Sequence, residues 1–315
     1  MKTFAIAALA AVLALPLAAR ANDYTIMAPA APGGGWDQTA RSMQAALQTE
    51  GISRSIQVVN VPGAAGTVGL AQFVSQNKGD PKALIVGGYV MVGGIITNKS
   101  PVTLADVTPI ARLTGEYEAI VVPKDSPLKS VQDLVDALKK DPGGVTWAGG
   151  SAGGVDHVTV GLTAKAAGVD PTEINYIAYS GGGEALAAVL SGQVTAGISS
   201  YGEFESQIKA GALRLLAVSS PERLPGAEAP TLKEAGLDVV VLNWRMVAAA
   251  PGLSDEQKAA VAADIEKLAK SKTWQETLKT KGWTDTYLAG ADFDKQLAAD
   301  ISTTGQILKD IGLAE

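Results

Sequence analysis

The chain has 315 residues, 32 of them acidic and 26 basic, with one histidine and no cysteine. A net charge of −6 and the lack of a basic tract argue against a nucleic-acid partner and against a polybasic membrane anchor. Without cysteine the fold stands on its core alone, and a single histidine leaves little for a transition metal, so no metal site and no cofactor is expected.

Residues 1–21 read as a secretory signal. Lys2 is the positive start, Phe4 to Leu17 is an apolar run broken by Pro16, and Ala19-Arg20-Ala21 matches the small-x-small cleavage pattern. The run is too short for a stable membrane span. Without Lys2 and Arg20 the 26 basic residues become 24 against 32 acidic ones, a net charge of −8 for an exported chain starting near Asn22. The expected location is the periplasm.

Asp23 to Ala28 reads as a short strand. It opens into Pro29-Ala30-Ala31-Pro32-Gly33-Gly34-Gly35, a loop nearly bare of side chains. A helix follows, with Ala40, Met43 and Leu47 on one face. Glycine admits positive φ and close approach of a ligand to the main chain. A helix N-terminus offers free N–H donors and a positive dipole end, so the junction has the makings of an anion site. A plain strand–helix turn explains the glycines equally well until the device repeats.

It does repeat. The strand Ile56 to Val61 ends in Pro62-Gly63-Ala64-Ala65-Gly66-Thr67-Val68-Gly69. The apolar run Ala83 to Gly88, as of a strand buried on both faces, leads into Tyr89-Val90-Met91-Val92-Gly93-Gly94, expected as a third such turn. Thr108 to Leu113 and Ala119 to Pro123 read as strands. Ser130 and Asp133 form a capping box for the next helix. The strand Val145 to Ala148 is followed by Gly149-Gly150-Ser151-Ala152-Gly153-Gly154, and Ile174 to Tyr179 by Ser180-Gly181-Gly182-Gly183. Thr195 to Ser200 and Leu213 to Ser219 are further strands, and Val239 to Ala249 is a long extended run. Ser254 with Gln257 caps a tail expected to be mostly helical.

Alternating strands and helices predict an α/β fold with mainly parallel sheets flanked by helices. Ligands in such sheets bind beyond the carboxyl ends of strands, where the glycine loops gather. Two lobes joined by two crossings are expected: residues 22–121 plus 243–315, and residues 122–242, with hinges near Val122 and Asn243.

An enzyme reading is weak. Gly149-x-Ser151-x-Gly153 matches a nucleophile elbow, but the only histidine, His157, lies six residues on in the same helix and cannot complete a triad from a separate loop. Ser151 is better read as a hydroxyl donor to a bound oxygen or as a helix cap. His157 reaches the cleft edge or is a half-buried structural imidazole. No nucleotide-phosphate loop occurs, and Gly63, Gly66 and Gly69 are spaced wrongly for a dinucleotide. Glu116, Glu118 and Asp125 are expected on the solvated surface.

These motifs resemble the tripartite tricarboxylate transporter receptors, the periplasmic substrate-binding proteins to which the Bordetella uptake gene products belong. Ala31 to Arg41 looks like the family's first binding loop. Asn60 to Gly69 resembles the second, which is usually written with Gly where this chain has Ala65. Gly150-Ser151-Ala152-Gly153 with His157 resembles the third. Tyr179 to Ala185, Gly192-Gln193-Val194 and Leu213 to Val218 fit the later part.

The resemblance implies a two-lobed, Venus-flytrap fold of the type II periplasmic binding protein class, and a binding protein rather than an enzyme. It also implies capture of a carboxylate metabolite through backbone amides and ordered waters, and delivery to a membrane permease driven by an ion gradient. The Gly-Gly-Gly-Trp-Asp version resembles the tricarboxylate branch, which puts citrate first among the ligands. An aromatic or amino acid ligand, or a sensing role at the same site, remains open at this point.

Gly33, Gly34, Gly35, Gly63, Ala64, Gly66 and Thr67 are the expected ligand residues of the first lobe. Ser151, Gly153, Gly154, His157, Gly181 and Gly182 are those of the second. Asp37 is expected to cap the first helix or to accept from a ligand hydroxyl, Arg41 to pair within the protein or touch ligand, and Trp36 to wall the cleft or pack. A monomer is the default.

Overall fold

A computed structural model describes residues 23–315, so the expected signal segment at residues 1–21 lies outside the described residues. Strands β1 (Tyr24–Ala28), β2 (Ile56–Asn60) and β3 (Ala83–Gly88) alternate with helices α1 (Gly35–Thr49), α2 (Thr67–Gln76) and α3 (Tyr89–Thr97). β1 pairs in parallel with both β2 and β3. β3 lies wholly buried, as its unbroken apolar run requires.

The chain then enters β4 (Thr108–Pro123), a single strand of 16 residues where two separate strands are expected. It carries the molecule from one lobe to the other. Thr108 to Tyr117 pairs with β9 (Leu242–Ala249), while Glu118 onward pairs with β7 (Ala196–Ser200), joined by β8 (Leu213–Val218) from Ala119. The change of partners falls between Tyr117 and Glu118, four residues before the expected boundary but on the same strand. Past that point successive β4 residues point to opposite faces. Ile120 and Val122 join the main core, whereas Ala119 and Val121 join a second cluster with Ala185, Val189 and Phe204.

The second lobe repeats the parallel arrangement, with β5 (Thr146–Gly149) between β6 (Asn175–Ala178) and β7. Its helices are α4 (Val131–Lys140), α5 (Val155–Ala166), α6 (Gly182–Leu190) and α7 (Tyr201–Lys209). Parallel pairing thus fills both wings, and the antiparallel strands β4 and β9 fill the middle, because the chain crosses between the lobes along β4 and returns at the start of β9. The segment before β9 stays with the second lobe: Val241 N–H donates to the Ser219 carbonyl.

The tail holds α8 (Asp255–Lys270), α9 (Lys272–Lys281) and α10 (Gly290–Asp310). Between the last two lies β10 (Thr284–Ala289), in a stretch expected to be mostly helical. It pairs antiparallel with β4, and Arg112 and Thr114 donate side-chain hydrogen bonds to the Thr286 and Thr284 carbonyls. α10 packs on the first lobe, but its end reaches the second. Lys165 Nζ of α5 lies 2.9 Å from Asp310 Oδ2, and a Cβ on Gly161 would stand 2.9 Å from Ile311 Cδ1. No helix among the described residues is long and apolar enough to cross a membrane.

The turn expected at Tyr89 to Gly94 is α3 itself. Its glycines serve packing. A Cβ on Gly94 would stand 2.5 Å from Ala65 Cβ, so α3 lies directly against the second loop.

Candidate functional site

A cleft of about 830 Å³ separates the lobes. The four glycine-rich junctions after β1, β2, β5 and β6 converge on it. The helices they start share a property. α1, α2, α5 and α6 begin on Gly34, Gly66, Gly154 and Gly181, none with a side-chain cap. Helices α3, α7 and α10 also lack a side-chain cap, whereas α4, α8 and α9 carry hydroxyl caps from Ser130, Ser254 and Ser271. An uncapped N-terminus keeps its first N–H groups free for water or a ligand.

In the first loop, Gly33, Gly34 and Gly35 line the cleft, whereas Asp37 lies behind them and is buried. Asp37 Oδ2 accepts from Gly33 N–H at 2.8 Å, and Oδ1 accepts from Asn60 Nδ2 at 2.9 Å. Arg41 Nε pairs with the same carboxylate at 3.0 Å. Burial alone would raise the Asp37 pKa; the bonds from Arg41, Gly33 and Asn60 outweigh it and hold it below the ordinary value. Asp37 therefore fixes the loop, and Arg41 is its ion-pair partner. Trp36 does both things expected of it: it lines the cleft and packs so closely that a Cβ on Gly66 would stand 2.6 Å from its ring.

In the second loop Gly63, Ala64 and Gly66 line the cleft. Four consecutive residues have positive φ, among them Ala64 at 46° and Ala65 at 53°. The left-handed region costs an alanine roughly 1 kcal/mol, so Ala65 is held where glycine would be unstrained. The loop is tied back by its carbonyls: Thr67 Oγ1 donates to the Ala64 carbonyl at 2.8 Å, and Asn98 Nδ2 to the same oxygen at 3.3 Å. Thr67 is buried behind the loop rather than lining the cleft.

In the third loop Ser151 and Gly154 line the cleft; Gly153 and His157 do not. Ser151 does not cap α5, whose N-cap is Gly154. Gly153 turns at φ +73° against Thr97 of α3. His157 Nδ1 accepts from Gly153 N–H at 3.3 Å, and its ring stacks on Tyr176 with centroids 4.0 Å apart. Burial pushes its pKa down to about 4, so it is neutral at pH 7. Of the two readings of His157, the structural imidazole matches this setting. In the fourth loop Gly181 and Gly182 line the cleft, and Glu184 accepts from Ser180 N–H at 3.1 Å.

The sequence reading missed an acidic wall. Glu116 and Glu118, expected on the surface, are buried; Asp125 is exposed as expected. On a strand alternate residues share a face, so Glu116 and Glu118 fall in line with Ile120 and Val122, and that parity was the available signal. Asp156 of α5 and Glu203 of α7 face the cleft in front of them, with Arg245 of β9 beside them. Arg245 is buried, ion-paired to Glu116, and stacked 5.1 Å from the Trp283 ring centroid. Asp156 Oδ2 accepts from Gly150 N–H at 2.6 Å, and Tyr176 O–H donates to the Gly150 carbonyl at 2.7 Å. Glu118 Oε1 accepts from Ser200 Oγ at 3.1 Å, and Ser200 in turn accepts from Asn243 Nδ2 at 3.1 Å.

Comparison with known proteins agrees with this geometry. The profile of the family described as "Tripartite tricarboxylate transporter family receptor" matches residues 39–313. The chain is 27% identical to Protein BugT of Bordetella pertussis over 259 residues, 80% of this chain and 78% of that one. Among solved structures, an R. palustris protein with adipate, Rpa4515, superposes with a TM-score of 0.83 at 24% identity, over 93% of this chain and 98% of that one. MatC from Rhodopseudomonas palustris, with bound malate, superposes at 0.79 and 23% identity, over 93% and 100%. With the profile spanning nearly all the described residues and the fold that of periplasmic binding proteins, the chain belongs to the tripartite tricarboxylate transporter receptor family and is a solute-binding protein, not an enzyme.

Proposed function

We propose that the protein captures a small di- or tricarboxylate, with citrate and its relatives first, in the periplasm and delivers it to the membrane permease of a tripartite tricarboxylate transporter. Residues 1–21 serve as its export signal. The observation that carries the reading is the convergence of four uncapped helix N-termini on one cleft. Free N–H groups and dipole ends favour carboxylates, directly or through bridging water. The cleft volume suits one small molecule. The dicarboxylates named with two similar structures, malate and adipate, support the same class.

In this reading Gly35, Gly63 and Ala64 supply main-chain donors from the first lobe, while Gly33, Gly34 and Gly66, whose N–H groups go to Asp37 Oδ2 and to the Ala31 and Gly63 carbonyls, shape the wall. Ser151, Gly181 and Gly182 supply donors from the second, where Gly154, its N–H taken by the Ser151 carbonyl, shapes the wall. Asp37, Thr67, Gly153 and His157 act one layer behind and hold the loops. Closure brings the two sets together around the ligand.

A thermal-shift screen against citrate, tricarballylate, succinate, malate and adipate, with glucose as control, tests the class. A ligand at ~100 times its dissociation constant stabilises by about 2.7 kcal/mol, a shift of several degrees. Stabilisation by acids and not by glucose supports the reading; stabilisation by none of the acids sinks it.

A further inference from the structure

The acidic wall is out of balance. Glu116, Glu118, Asp156 and Glu203 stand together with one cation, Arg245, whose guanidinium is taken by Glu116. Burial raises the pKa of both Glu118 and Asp156, and the charge of Asp156 raises that of Glu118 further. Glu118 Oε2 is buried without a donor among the described residues.

Glu203 stands in front of this pair, at the cleft surface. Its Oε2 accepts from Ser199 Oγ at 2.5 Å. The carboxyl lodges under the start of α6, where a Cβ on Gly182 would fall 1.7 Å from Oε2. No side chain but glycine leaves it that place.

We propose that Glu203 sets the specificity of the cleft as a carboxylic acid: it holds a proton, donates it in a hydrogen bond to a carboxylate oxygen of the ligand, and so couples capture of the anion to uptake of one proton. The inference rests on the carboxylate reading above. With Oε2 occupied by Ser199, the proton sits on Oε1.

The groups around Glu203 all bear on that proton. Glu116 and Glu118 face it from β4, Asp156 from α5 and Arg245 from β9. On α6 the acidic residue is Glu184, which is engaged with Ser180 N–H. Burial pushes the Glu203 pKa up to about 7 and the charges of Glu116 and Asp156 add to it, against the Ser199 bond and the charge of Arg245. An arriving carboxylate raises it further. The O–H then gives an anion a partner on a wall that otherwise repels it.

Isothermal titration calorimetry with citrate, malate and adipate between about pH 6.5 and 8.5, in buffers of different ionisation enthalpy, reads the proton directly. The expected result is uptake of up to one proton per ligand, and affinity that falls toward tenfold per pH unit above the Glu203 pKa. Glu203→Gln keeps a donor that does not titrate; it is expected to erase most of this pH dependence, with an unchanged circular dichroism spectrum. The wild-type uptake decides alone should that variant not fold. Binding of an acid with no proton uptake overturns the inference and leaves the carboxylate reading standing. Affinity that rises with pH overturns it in favour of a ligand cation on the wall. Failure of all three acids to bind at any pH overturns the carboxylate reading and this inference with it.

Discussion

Gly93 of α3 and Gly153 of the third loop meet across the two lobes, so closely that a Cβ on Gly93 would stand 2.0 Å from the Gly153 carbonyl oxygen. The contact lies between the lobes, so opening of the cleft is expected to part it. Gly93→Ala is therefore expected to act on the closed form. Forced overpacking costs about 1–3 kcal/mol, which corresponds to ligand binding weaker by roughly ten- to hundredfold. The unliganded thermal midpoint should hold or rise, since alanine favours the helix by about 1 kcal/mol. Calorimetric titration checks the affinity, and small-angle scattering checks that the variant stays open with ligand present.

Arg245 and Glu116 form a buried ion pair between β9 and β4. Removing one partner leaves the other charged and uncompensated, a loss of about 3–5 kcal/mol. Arg245→Met should fall in that range by urea denaturation. The double variant Arg245→Met with Glu116→Gln should recover most of it, because no lone charge remains.

Gly181 and Gly34 differ as probes of the cleft. A Cβ at Gly181 would meet nothing within 4 Å, whereas one at Gly34 would stand 3.3 Å from the Ala31 carbonyl oxygen. Gly181→Val should thus place its bulk in the cleft with stability changed by less than about 0.5 kcal/mol. Loss of ligand binding with an unchanged melting curve is the expected outcome. Normal affinity would take the fourth loop out of the site.

His157 and Glu203 give opposite slopes of stability with pH. His157 is depressed from 6.5 to about 4 by burial, so its contribution is present above 6.5 and lost as pH falls through 4. At about 1.4 kcal/mol per unit, reduced for its partial exposure, this is about 2 kcal/mol. Glu203 is raised from 4.5 to about 7, chiefly by burial, so its contribution is present below 4.5 and lost as pH rises through 7. His157→Phe keeps a stacking ring and should flatten the acid limb. Glu203→Gln should flatten the limb from pH 4.5 to 7. Melting temperatures across pH 4 to 8 separate the two.

Ser130→Ala removes the hydroxyl that caps α4, a helix outside the cleft. A loss of about 1 kcal/mol is expected, with ligand affinity unchanged, since the cap serves the helix alone. Denaturation and titration of the same variant check both halves.

The capping boxes at Ser130 and Ser254 form where their spacing places them, because local hydrogen bonding decides them. The glycine loops at Gly33, Gly63, Gly150 and Gly181 were legible as strand–helix junctions for the same reason. What local pattern did not carry was the role of glycine in packing: Gly93 and Gly94 look like a turn in sequence and lie inside a helix. Nor did it carry the long-range pairings. β10 is a strand because β4 offers it an edge 170 residues away, through Thr114 and Thr284. The acidic wall joins residues from β4, α5, α7 and β9, and charged side chains in one strand read as surface until the parity of that strand is set against its neighbours.

The end of α10 bears on how the cleft can move. Two adjacent crossings of the chain between the lobes, along β4 and just before β9, form a flexible ribbon, which can bend and can also twist about its own length. A third attachment set to one side removes the twist. Lys165 with Asp310, Ile311 over Gly161, and Gly312 against Thr172 make that attachment at the last turn of the chain. With that attachment in place, a single arc of opening is expected, along which the glycine loops of the two lobes return to the same facing positions at closure.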